Sequence, residues 1–150
     1  MNLYEMLHQD HEKAKSLFDM LEAVGEGDID RREELFFTLS RELDIHTQAE
    51  EKFLYSQMRS HDSSRELTLE SYDDHKEMRH LLEELESMDM GAPEWTGKCR
   101  TLREIFVQHV ETEERELFPL AKKAIDDEEA AGIAEDIESF KEERSELEAY

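Results

Sequence analysis

Two stretches decide how this chain folds: His46-Thr47-Gln48-Ala49-Glu50 and His109-Val110-Glu111-Thr112-Glu113. Each is His-x-x-x-Glu inside a segment with helical periodicity. Residues four apart lie one above the other on a helix face, so each motif aims an imidazole and a carboxylate at one point. Two such pairs, joined by two more inward histidines, make the donor set of a carboxylate-bridged two-metal site.

The other two histidines follow from register. In an up-down-up-down bundle, residues at one height are equidistant from the turn between their helices. The midpoint of His11 and His46 falls inside Gly25–Asp30, and that of His46 and His75 inside Ser60–Ser64. The midpoint of His75 and His109 falls on Gly91-Ala92-Pro93. All three are the chain's clearest turn signals. Four helices thus bring His11, His46, His75 and His109 to one layer.

The stripes agree. The first helix, about Asn2 to Val24, carries Leu7, His11, Ala14, Phe18 and Leu21 on one face. The second starts after Asp30, read as N-cap with Glu33 three residues on, and carries Leu35, Leu39, Leu43, His46, Glu50 and Phe53. The third, about Ser64 to Met88, places His75, Leu82 and Leu85 inside. The fourth follows Pro93, which suits a first turn, and carries Leu102, Phe106, His109, Glu113, Leu117 and Leu120. The fold class is all-α. A four-helix bundle over about 2–124 is followed by a short additional C-terminal helix, about 128–148, docked through Ile133, Ile137 and Phe140. The 150 residues are read as one domain. No internal repeat stands out beyond the two His-x-x-x-Glu motifs.

Glutamates in the middle of apolar stripes are costly unless paired or metal-bound. Mixed imidazole and carboxylate donors suit iron, zinc or manganese, with iron favoured at a two-metal centre. The competing Glu-x-x-His pattern occurs at Glu5–His8 and Glu77–His80. Those histidines sit roughly 12 Å apart in height, too far to share ions. His61 falls in a turn. His80, five residues after His75, points about 140° away. His8, one turn before His11, is a candidate for supporting a ligand.

Composition excludes several classes. The net charge of −23 repels nucleic acid and anionic membrane surfaces. No apolar run reaches the ~18 residues of a membrane span. The start lacks a signal-peptide pattern. Cys99 is the one cysteine, so no internal disulfide forms. A cytoplasmic location is expected.

These residues resemble a known family, the haemerythrin-like or HHE cation-binding domain. The resemblance rests on Asp10-His11, on His46-x-x-x-Glu50-Glu51 with Phe53-Leu54-Tyr55, on His75, and on His109-x-x-x-Glu113 with Leu117-Phe118-Pro119. It implies a four-helix bundle around two iron ions with an oxo or hydroxo bridge. By the same resemblance Glu50 and Glu113 bridge and the four histidines are terminal ligands.

The chain departs from the oxygen-carrying members. Where they place a fifth histidine on the third helix, this chain has Arg79. Four histidines, two bridging carboxylates and one bridging oxygen fill about ten of the twelve positions on two six-coordinate irons. The expected function is therefore the binding, sensing or handling of O2, peroxide, NO or an azide-like ligand, with a redox enzyme or an iron-dependent interaction module as alternatives. Arg79 either turns inward to hold an anion or outward to pair with Glu83. The protein partner of an interaction module is not specified by the sequence, and its expected surface is the acidic stretch from Glu135 to Tyr150.

Overall fold

In the computed structural model, residues 1–148 are described, with side chains described through 145. Five long helices follow in order. The first, α1 (Leu3–Ala23), is capped by Asn2, whose side chain accepts from the Glu5 backbone N–H at 2.9 Å. The second, α2 (Ile29–Ala49), runs without a break into a π-helical turn, Glu50–Tyr55, and a last α turn, Ser56–Met58. Its N-cap is Asp28 rather than Asp30. The Asp28 carboxylate accepts from Arg31 N–H at 3.2 Å, so the helix starts two residues before the expected position. Next comes α3 (Arg65–Ser87), preceded by Ser64. Then α4 (Pro93–Thr112) continues through a second π-helical turn, Glu113–Leu117, into Phe118–Ala124. The last, α5 (Asp127–Glu148), has 22 residues, as many as the bundle helices themselves. The end of the expected partner surface, residues 149–150, lies outside the described residues.

Packing follows chain order. The helix α1 lies along α2, and α3 along α4; the two hairpins close on each other through α1–α4 and α2–α3 contacts. The fifth helix covers α1, α2 and the first π turn. Ile133 and Ile137 are buried against the bundle, and the Phe140 ring meets Phe53 edge-on at 5.9 Å.

Two apolar clusters fill the interior. One holds Phe18, Phe36, Leu39, Trp95, Leu102 and Phe106; the other holds Leu7, Leu54, Met58, Leu117, Phe118 and Ile137. Between them lies a polar layer: His11, His46, Glu50, His75, His109 and Glu113, all buried. Both glutamates are 0% exposed. Burying every side of two carboxylates between apolar clusters costs several kcal/mol per ion unless a counter-charge sits with them. No helix among the described residues is long and apolar enough to cross a membrane.

Candidate metal centre

The layer contains two donor groups that share their carboxylates. His11, His46, Glu50 and Glu113 form one, and Glu50, His75, His109 and Glu113 the other; within each, the donor atoms lie within 4.8 Å of one another. The six residues expected from the sequence are the six brought together.

Their atoms converge on positions between them rather than on each other. His11 Nε2 stands 3.1 Å from Glu113 Oε1, and His46 Nε2 stands 3.0 Å from Glu50 Oε1. Yet His11 Nε2, His46 Nε2, Glu50 Oε2 and Glu113 Oε1 have no hydrogen-bond partner. Close approach without hydrogen-bond alignment is what donors aimed at a third atom produce.

The outer ring nitrogens explain the orientation. His46 Nδ1 donates to Asp10 at 2.8 Å, His75 Nδ1 to Glu51 at 2.8 Å, and His109 Nδ1 to Asp74 at 3.0 Å. His11 Nδ1 faces Glu114 at 3.7 Å. An acceptor at Nδ1 keeps the proton there and turns the Nε2 lone pair inward. His75 Nε2 and His109 Nε2 then face each other at 3.1 Å. Two lone pairs at that distance repel unless a cation or a proton lies between them. The buried carboxylates, the orphaned donors and the opposed lone pairs all fit a pair of metal cations.

With no cation there, protons take the charge. Burial works against a charged His46, but Glu50 and Asp10 outweigh it and raise its pKa to about 10. His109 is likewise opposed by burial and raised to about 10 by Asp74 and Glu113. Burial pushes Asp10 up, but His46 and Lys141 hold it down at about 2.

The four outer carboxylates escaped the sequence reading as a set. Each is a chain neighbour of a ligand: Asp10 precedes His11, Glu51 follows Glu50, Asp74 precedes His75, and Glu114 follows Glu113. Each reaches the histidine of another helix, so support passes from α1 to α2, α2 to α3, α3 to α4 and α4 back to α1. The signal was present as a repeat, Asp-His followed by His-x-x-x-Glu-Glu, at 10–51 and again at 74–114.

Tyr55 was also missed. In an α-helix a five-residue step lands about 140° away, the reasoning that set His80 aside. The π turn winds more slowly and closes that angle. The Tyr55 hydroxyl therefore reaches Glu50 at 3.4 Å, donates to Glu113, and stands 3.3 Å from His75 Nε2 and 3.4 Å from His109 Nε2. Burial, with the charges of Glu113 and Glu50, pushes its pKa well above the ordinary value.

Arg79 takes neither expected position. It donates to Glu51 and, at 3.3 Å, to Thr47 Oγ1, so it braces the carboxylate that holds His75. His8 contacts Glu114 from outside the ligand layer. His80 is exposed and pairs with Glu84 at 2.5 Å.

Comparison with known proteins agrees with this geometry. Residues 2–121 match the family model of the Hemerythrin HHE cation binding domain. A curated relative from Nostoc, called a DNA nickase, is 31% identical over 141 residues, which are 94% of this chain and 39% of the relative. The chain thus spans well under half of that relative's length. A crystal structure of a hemerythrin HHE cation binding domain-containing protein from Mycobacterium kansasii superposes with a TM-score of 0.84. It covers 97% of this chain and 89% of the other, at 22% identity, a likeness of fold.

Proposed function

The chain belongs to the Hemerythrin HHE cation-binding domain family, and from that premise we propose that it holds two iron ions and uses them to bind or sense a small oxidant or diatomic ligand. His11 and His46 would hold one ion, His75 and His109 the other, with Glu50 and Glu113 shared. The observation that carries this reading is the pair of donor groups with both glutamates in common. Iron held in this way supplies reversible one-electron chemistry and an open position for O2, peroxide or NO.

The chain's own contribution is to fix the donors and exclude water. Asp10, Glu51 and Asp74 hold three imidazoles in one tautomer. Phe118 stacks on the His11 ring, with centroids 6.3 Å apart, and Tyr55 on His75 at 5.1 Å. The Tyr55 hydroxyl is a buried proton donor at the His75–His109 side, within reach of what binds there.

The test is metal content after growth with iron, beside the visible spectrum with and without azide. About two irons per chain and an azide-sensitive band support the reading. Zinc, one metal or none overturns the redox part. Sustained peroxide or NO turnover with iron retained would make the protein an enzyme rather than a sensor.

The name of the Nostoc relative favours a second reading, nicking of DNA. Against it stands the net charge of −23, which repels a phosphate backbone. Supercoiled plasmid incubated with the iron- or manganese-loaded protein is expected to stay supercoiled. Nicking that scales with protein concentration, and is lost in Glu50→Ala, would reverse the preference.

A further inference from the structure

At the loop end of the bundle, away from the ligand layer, a buried cation has no counter-ion. Arg32 is 3% exposed. Its Nη1 donates to the Met90 carbonyl at 2.6 Å and its Nη2 to the Val24 carbonyl at 3.5 Å, and its guanidinium lies 4.9 Å from the Trp95 ring centroid. Among the described residues no carboxylate pairs with it. Glu22, the nearby acid, is engaged by Arg103 at 2.8 Å. Arginine does not shed its proton in a protein. A buried guanidinium without a partner is costly, so the charge has to be met by another route.

The unmet donors face one cavity. Arg32 Nε has no partner, and neither has the buried Thr96 hydroxyl. Both residues line a cavity of about 40 Å³ together with Phe18, Leu21, Trp95, Cys99 and Glu22, whose carboxylate is paired with Arg103. One water-sized sphere takes ~10–15 Å³, so the space holds about three waters, or one small ion with a water, and no metabolite. Arg100 lines the same cavity. The cavity thus has two guanidiniums, Arg32 and Arg100, against one carboxylate that Arg103 already engages, in a chain of net charge −23.

We propose that this cavity is a binding site for a small monovalent inorganic anion, held by Arg32 Nε and the Thr96 hydroxyl. The apolar walls favour a weakly hydrated halide, bromide or chloride, over fluoride. Sulfate would need more donors than the cavity offers.

Bromide is the probe, applied to the metal-loaded protein. Crystals grown in sodium bromide should show an anomalous peak within hydrogen-bond distance of Arg32 Nε. Cys99, the one cysteine, lines the cavity and serves as reporter. Its modification by a small neutral thiol reagent should slow severalfold in bromide and not in fluoride at equal ionic strength. Thr96→Val should weaken the bromide protection by about tenfold, the loss of one hydrogen bond to a charged group, without altering metal content. Arg32→Met should abolish the protection. If Arg32→Met does not fold, the crystal and the Thr96→Val series decide. A water at Arg32 in bromide-grown crystals, with a Cys99 rate that bromide leaves unchanged, would overturn the site.

Discussion

In the α1–α2 hairpin, Asp10-His11 is answered by His46-x-x-x-Glu50-Glu51; in the α3–α4 hairpin, Asp74-His75 is answered by His109-x-x-x-Glu113-Glu114. Each carboxylate ligand opens a π turn. Five residues on, the halves part: Tyr55 follows Glu50, and Phe118 follows Glu113. One places a hydroxyl among the ligands, while the other places a ring face on His11. The surroundings differ too. Lys141 from α5 covers Asp10, which is 21% exposed, whereas Asp74 is 40% exposed. Asp74 and His109 line an acidic cleft of about 370 Å³ with Glu70, Asp73 and Glu77. Equal donor sets in unequal surroundings teach that the two donor groups need not behave alike.

The largest expected effect comes from breaking what the halves share. Glu50→Ala or Glu113→Ala should empty both positions, measured as metal per chain. His46→Ala or His109→Ala should leave about one ion bound, because each serves one donor group. Equal losses in all four variants would show that the positions fill only together.

Tyr55→Phe makes the halves alike. It deprives Glu113 of a buried hydroxyl donor and should destabilise the metal-free protein by about 1–3 kcal/mol in urea. If stability is unchanged, the hydroxyl contributes nothing to the metal-free fold, and the asymmetry matters only when metal is bound.

A smaller effect is expected from the outer carboxylates. Asp10→Asn and Asp74→Asn should each weaken metal affinity by roughly 10–100-fold, with Asp10→Asn the worse because it also loses Lys141. Chelator competition would rank them, and the opposite order would mean that the exposed cleft side holds its metal less by geometry than by field.

A further effect is with pH. His46 and His109 are raised to about 10 from an ordinary value near 6.5. Their contribution to the metal-free fold is fully present below about 6.5 and is lost as pH rises through about 10. The melting temperature of the metal-free protein should therefore fall between pH 7 and 10, while that of the loaded protein stays flat. A flat metal-free curve would mean that no proton replaces the metal.

The bundle was legible because it obeys one rule, the α-helical step of three or four residues, which also pairs His46 with Glu50 and His109 with Glu113. His11 and His75 needed only the turn midpoints. What stayed hidden depends on other helices or on another helical step. Asp10, Glu51, Asp74 and Glu114 lie beside ligands in sequence and act on the neighbouring helix, which one-helix periodicity does not reveal. Tyr55 required the π turn. The place of α5, about 128–148, and its docking face were legible, though a helix as long as those of the bundle is not the short one expected; the pairing of Lys141 with Asp10, 131 residues apart, was not legible.

The π turns also bear on how this sequence can change. A π turn is an α-helix carrying one surplus residue. Deleting one residue between 51 and 54 would leave an unbroken helix, and secondary structure content would hardly register the loss. Tyr55 would then stand four residues after Glu50 on a regular α-helix, about 40° away, so it and the buried Met58 would keep their side of the helix. Each π turn thus takes up one residue without turning the helix beyond it, so the intervals from Glu50 to Tyr55 and from Glu113 to Phe118 could each shorten by one while the helix faces on either side keep their partners.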